Sequence, residues 1–216
     1  MKSSFNINKL VRENIKTLAP YRSARDDFDT GILLDANENS YGAPVSNSLD
    51  LHRYPMPYQD KLRQQIADYR SVSKDNVFVG VGSDEAIDLL FRIFCAPVTD
   101  RVIINPPTYG MYKVSANIND VKADSVLLTK DFQLQPEQIL KRVTNFTKLI
   151  FVCSPNNPTA NDINKQDIIT LLDNFDGLVV VDEAYIDFSN EESWSSELKN
   201  YPNLVVLQTL SKAFGL

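Results

Sequence analysis

The sequence predicts an α/β protein in which a mostly parallel sheet lies between two layers of helix. Two observations carry that expectation. From about residue 77 onward, short near-continuous apolar runs alternate with stretches of helical period, and most of the runs end in a cluster of polar residues and turn formers. Strands covered by helices on both faces lose the polar/apolar alternation of a half-exposed sheet, so they read as unbroken Val, Ile and Leu. Crossovers between such strands are right-handed. The chain has 216 residues, 43% of them apolar and 23% charged, and a globular protein of that size buries roughly 70% of its unfolded surface.

In order, residues 6–18 carry Leu10, Val11, Ile15 and Leu18 at helical spacing and Pro20 closes the pattern, so a short N-terminal helix is expected. Residues 31–35 read as a short strand. The stretch 36–57 is rich in Asn, Ser, Gly and Pro, which makes it an irregular crossing segment, and a boundary is expected near residue 50 that divides 1–50 from 51–216. Leu62, Ile66 and Tyr69 give a helix over 58–69. Strands are then expected at 77–79, 101–104, 125–128, 148–153, 178–181 and 204–207. Helices are expected between them at 84–95, 109–116, 136–143 and 164–174.

Composition narrows the function. A net charge of −6 opposes a general nucleic-acid binder. No run approaches the ~18 apolar residues of a membrane span and residues 1–10 lack a signal-peptide core, so a cytoplasmic protein without membrane association is expected. Cys95 and Cys153 match no metal or redox spacing, and neither a disulfide nor a metal site is expected. His52 is the single histidine, which leaves almost no material for a histidine triad or a His-rich metal centre.

The chemistry concentrates after the strands, where open α/β sheets hold ligands. Val179-Val180-Val181 runs into Asp182-Glu183-Ala184-Tyr185, and the strand at 204–207 runs into Thr209-Leu210-Ser211-Lys212. A lysine amine can form a Schiff base with an aldehyde, and an aspartate can keep a pyridine nitrogen protonated so that the ring accepts electrons; together they are a protein's share of pyridoxal phosphate chemistry. Taken singly, Lys212 reads as a surface charge and Asp182 as a helix cap. After 77–79 comes Gly80-Val81-Gly82-Ser83-Asp84, where a glycine turn and a helix N-terminus can hold a phosphate, although by itself the stretch reads first as an N-cap. The dinucleotide glycine fingerprint is absent. Pro106-Pro107 fix the exit of the next strand and present Tyr109, either as a stacking ring or as a core tyrosine. Ser154-Pro155-Asn156-Asn157-Pro158-Thr159 is either a turn that fixes an amide or an ordinary turn.

Taken together, Pro106–Tyr112, Ser154–Thr159, Val179–Tyr185 and Thr209–Lys212 resemble the aminotransferases of the aspartate aminotransferase fold. With Leu34-Asp35-Ala36-Asn37-Glu38-Asn39 they are most similar to the histidinol-phosphate aminotransferase family, over about residues 21–216. The resemblance implies a three-layer α/β/α large domain at 51–216 that binds pyridoxal 5'-phosphate, with 1–50 as a helix and arm. It implies that Lys212 bonds the cofactor aldehyde, Asp182 pairs with the ring nitrogen, and Asn157 and Tyr185 bond the phenolic oxygen. Tyr109 would stack on the ring, while Ser83, Asp84, Thr209 and Ser211 would hold the phosphate. Tyr54 would reach the phosphate of a neighbouring subunit, which implies a homodimer, and Tyr21 and Asn37 would touch the substrate. The partners implied are a small amino donor and a 2-oxo acid.

Two departures stand out. Ala160 follows Asn156-Asn157-Pro158-Thr159 where the family usually has glycine, so a somewhat different turn is expected there. In the family, the residues after the lysine add an arginine for the phosphate, a strand between those at 204–207 and 77–79, and a small domain with substrate arginines. The chain is therefore expected to be the N-terminal part of such an enzyme, and by itself neither stable nor active, because unpaired buried backbone groups cost about 1–3 kcal/mol each. The expected activity is transfer of an amino group between L-histidinol phosphate and 2-oxoglutarate. Another pyridoxal phosphate enzyme of the same fold, such as an aromatic aminotransferase or a threonine-phosphate decarboxylase, and a non-catalytic remnant are the competing readings.

Overall fold

A computed structural model of the chain describes residues 5–23, 26–28, 30–45 and 51–216. The chain forms two compact units, Met1–Thr17 with Gly80–Leu216 and, separately, Leu18–Val79. The boundary expected near residue 50 falls outside the described residues.

The first unit is organised by a five-stranded sheet of order β2-β1-β3-β4-β5, with every neighbouring pair parallel. The strands are β1 (Arg101–Ile104), β2 (Lys122–Ser125), β3 (Thr147–Cys153), β4 (Leu178–Asp182) and β5 (Leu204–Leu207). Its helices are α1 (Glu13–Lys16), α3 (Gly82–Phe94), α4 (Met111–Ile118), α5 (Pro136–Arg142) and α6 (Lys165–Asn174), while α2 (Asp60–Arg70) belongs to the second unit. Successive strand residues point to opposite faces, and each face has its own core. Leu149, Phe151 and Cys153 of β3 meet Ile87 and Phe91 of α3 and Tyr112 and Ala116 of α4 on one side. Ile150 and Val152 meet Ile139 of α5 and Ile168, Leu171 and Leu172 of α6 on the other. This is the expected three-layer sandwich. Burying a Leu, Ile, Val or Phe side chain contributes about 1.5–3 kcal/mol, so β3 and β4 anchor the fold.

The departures from expectation lie where apolar pattern and backbone pairing part company. Residues 6–18 form a 3-10 turn at Ile7–Lys9 and the single turn α1 rather than one helix. Between them the Arg12 N–H donates to the Ile93 carbonyl at 3.0 Å and its guanidinium to the Arg92 carbonyl at 2.8 Å, so the end of α3 captures a backbone N–H that a continuous helix would need. Residues 31–35 form no strand, and Ile32 and Leu34 are exposed. Residues 77–79 form none either: the Val77 N–H closes onto Lys74 and its carbonyl accepts from the Arg63 guanidinium, which removes them from any ladder. The strand expected at 125–128 is instead β2, over polar Lys122–Ser125, where Arg101 on β1 holds buried Asp124 through two contacts of 2.7 and 3.0 Å. The helix expected over 109–116 begins two residues later, because Gly110 is its N-cap.

Candidate functional site

The chain leaves β1 on one side to make β2 and pairs β1 with β3 on the other, so the carboxyl ends of the strands border a crevice at that reversal. One cleft is lined by Ser83, Asp84, Tyr109, Asn157, Asp182, Tyr185, Thr209, Ser211 and Lys212. These are all of the site residues predicted within the first unit. Val81, Gly82, Cys153 and Ala184 complete the wall.

Asp182 is the last residue of β4 and is 1% exposed. The Tyr112 hydroxyl donates to its Oδ2 at 2.6 Å and the Ala184 N–H donates to Oδ1 at 3.1 Å. Burial pushes the carboxyl above the usual range, and the two donors pull it back toward ionisation. Nearby Asp84 adds a like charge that also disfavours ionisation. A buried carboxylate held by hydrogen-bond donors at the wall of a cleft is suited to a cationic group arriving there.

In the same cleft wall, the glycine turn Gly80–Gly82 leads into α3. Gly82 has φ +72, a left-handed conformation that glycine adopts without strain, and Glu85 reaches back to accept the Val81 N–H. First-turn N–H groups have no partner inside a helix and attract anions. Thr209 and Ser211 add hydroxyls, with Thr209 donating to the Ser211 hydroxyl at 3.1 Å and accepting the Ser211 N–H at 3.2 Å. The exception is Asp84, an acid in the same turn, whose carboxylate accepts the Tyr109 hydroxyl at 3.1 and 3.3 Å.

Lys212 Nζ lies 5.7 Å from the centre of the Tyr185 ring. The adjacent asparagines of the 154–159 turn divide their work. Buried Asn156 donates to the Pro107 carbonyl at 2.9 Å and to Thr159 Oγ1 at 2.7 Å, tying two loops together, while Asn157 lines the cleft. Ala160 takes φ +59, so the turn keeps a left-handed residue there although it is not glycine.

Tyr21, Asn37 and Tyr54 lie in the second unit, where all three are exposed. There Glu38 accepts both the Arg53 guanidinium and the Tyr54 N–H at 2.7 Å, which fixes the backbone that carries Tyr54.

Sequence reasoning missed Tyr112 and Glu183. Tyr112 falls three residues after Tyr109, a spacing that shares a helical face and could have flagged it. Glu183 is buried and accepts from the Ser193 hydroxyl, the Trp194 N–H and the Gln208 amide, linking the loops that follow β4 and β5. A second cleft beside Trp194 is lined by Asp162, Glu183, Glu191 and Glu192 with Lys165, and its acidic wall opposes anionic ligands.

The sequence model of aminotransferase class I and II matches residues 29–216. The chain belongs to that family. It is 53% identical to a histidinol-phosphate aminotransferase of Flavobacterium johnsoniae over 99% of the chain and 61% of that protein. It is 49% identical to one of Bacteroides fragilis over 97% of the chain and 60% of that protein. The chain thus spans about three fifths of the length of the curated relatives it matches. Among solved structures, the histidinol-phosphate aminotransferase from Clostridium acetobutylicum superposes with a TM-score of 0.66 at 25% identity, covering 76% of this chain and 48% of that one.

Family members use pyridoxal 5'-phosphate, and the donor set of the cleft fits it. Asp182 supplies a buried carboxylate for a ring nitrogen, the α3 N-terminus and the Thr209 and Ser211 hydroxyls suit a phosphate, and Lys212 supplies an amine.

Proposed function

We propose that the protein transfers an amino group between L-histidinol phosphate and 2-oxoglutarate, a step of histidine biosynthesis that yields 3-(imidazol-4-yl)-2-oxopropyl phosphate and L-glutamate. The observation that carries this reading is that Lys212 and Asp182 line one cleft in a chain about half identical to curated histidinol-phosphate aminotransferases. Pyridoxal phosphate, when bound, supplies an aldehyde that captures amines and a ring that accepts electrons. Lys212 would hold the cofactor at its aldehyde, and its free amine would be the base that moves a proton from the substrate carbon. Asp182 would keep the ring nitrogen protonated, since an Asp–cation pair a few ångströms apart interacts by about 4 kcal/mol at an effective dielectric near 20. Asn157 and Tyr185 would orient the ring oxygen, Tyr109 would stack on the ring, and Ser83, Asp84, Thr209 and Ser211 would hold the phosphate, the first two through backbone N–H groups.

The reading extends to a homodimer in which Tyr54 serves the neighbouring subunit's cofactor, with Tyr21 and Asn37 on the substrate. The fixed backbone at Tyr54 supports it. A cytoplasmic location agrees with the absence, among the described residues, of any helix long and apolar enough to cross a membrane.

Assays of the full-length protein with L-histidinol phosphate, L-threonine phosphate and aromatic amino acids test the substrate. The largest kcat/KM is expected for L-histidinol phosphate with 2-oxoglutarate as acceptor. Decarboxylation of threonine phosphate, or preference for an aromatic amino acid, would overturn the assignment.

A further inference from the structure

Asp182 is held by a side chain from another layer of the fold. The Tyr112 hydroxyl, on α4, donates to its Oδ2 at 2.6 Å, and both residues are essentially excluded from water. The tyrosine has little freedom to do anything else. Its ring stacks on Phe151 with centroids 4.8 Å apart, and Tyr109 packs edge-on against it at 5.6 Å. Cys153, the β3 residue paired in register with Asp182, also touches the phenol and sends its thiol hydrogen toward the Pro155 carbonyl at 3.5 Å. The groups that interact with the carboxylate thus include the Tyr112 hydroxyl, the Ala184 N–H, the Cys153 thiol, the Tyr109 phenol and the Asp84 carboxylate. Only the first two donate to it.

We propose that Tyr112 is a positioning residue whose hydroxyl keeps the negative charge on Asp182, so that the proton shared with a pyridine nitrogen stays on the ring. The proposal rests on the cofactor reading above. In a buried pair, one proton lies either on the nitrogen, giving an ion pair, or on the carboxylate, giving two neutral groups, and burial favours the neutral arrangement. A hydrogen bond donated to the carboxylate stabilises only the charged arrangement and shifts the balance back. Tyr112 can serve as such a donor throughout the working pH range, because burial and the neighbouring carboxylate push its own ionisation far up. The ring's ability to accept electrons then depends on a residue that need not touch the ring.

The test is 15N NMR of the full-length protein loaded with cofactor labelled at the pyridine nitrogen, comparing native protein, Tyr112→Phe and protein carrying 3-fluorotyrosine at position 112. Tyr112→Phe should move the resonance from the protonated toward the unprotonated range and lower kcat about tenfold to a hundredfold with KM little changed, as expected for loss of a hydrogen bond to a charged group. The more acidic fluorinated phenol donates more strongly and should move the resonance the opposite way in an unaltered fold. An unchanged resonance in both altered proteins overturns the proposal, and if Tyr112→Phe does not fold, the fluorinated protein decides alone. Native protein that binds no cofactor would overturn the cofactor reading as well, whereas native protein with a protonated ring and no response at position 112 overturns only the role of Tyr112.

Discussion

The Tyr109 hydroxyl donates to both carboxylate oxygens of Asp84, bringing the ring on the strand exit onto the first turn of α3. Burial, together with the Asp84 carboxylate, pushes the phenol up to about 12, so the donor persists at any working pH. By occupying Asp84, the hydroxyl keeps an acid from competing for the N–H groups that suit an anion. Tyr109→Phe should therefore weaken cofactor binding about two- to tenfold, read by equilibrium dialysis, and unchanged affinity would contradict this role.

Asp182 makes stability without cofactor depend on pH in a definite direction. Its folded carboxyl is raised above the unfolded value by burial. The protonated form is thus favoured by folding, and this contribution is present below the ordinary carboxylate pKa near 4 and is lost as pH rises through the raised value. Denaturant melts of cofactor-free native protein and Asp182→Asn should show the difference moving in favour of the native residue as pH falls from 7 toward 4. A difference that is flat, or that moves the other way, would contradict the burial argument.

Ala160 takes φ +59 in the turn after Asn156-Asn157-Pro158-Thr159. The left-handed conformation costs a residue with a Cβ about 1–2 kcal/mol, partly offset by glycine's larger loss of entropy on folding. Ala160→Gly should stabilise the protein by about 1 kcal/mol, or about 2–4 °C in Tm for a protein of this size. A lower melting temperature would mean that the methyl group makes a contact worth more than the strain.

Arg101 and Asp124 hold the β1–β2 edge through two contacts, with the Asp124 side chain 10% exposed and that of Arg101 28% exposed. Removing one partner strands a largely buried charge, so Arg101→Ala should cost about 2–4 kcal/mol in denaturant unfolding. A cost below about 0.5 kcal/mol would place the pair among surface ion pairs.

These particulars also show which parts of the fold the sequence reveals. β1, β3, β4 and β5 are visible because both faces are buried and their residues are apolar almost throughout. β2 is not, since an edge strand can be Lys-Ala-Asp-Ser when Arg101 satisfies its acid. Residues 77–79 and 31–35 show the reverse error: apolar runs look like strands even where their backbone groups bond elsewhere or find no ladder. The break in the 6–18 helix depends on the Ile93 carbonyl, a contact remote in sequence that no local pattern contains. Most cleft residues of the first unit are legible because they end or follow a strand, whereas Ser83 and Asp84 are legible from the glycine turn that leads into α3. Tyr112 was hidden because its importance comes from the one oxygen atom it touches, on a strand seventy residues away.

The central claim is that Lys212 is the amine that bonds the cofactor. Reducing the full-length protein with borohydride in the presence of pyridoxal phosphate and mapping the digested peptides tests it directly. One pyridoxyl group per chain is expected, on Lys212, with loss of the visible cofactor absorbance, and no labelling in Lys212→Ala. A modified lysine elsewhere, or full absorbance retained in Lys212→Ala, would contradict it.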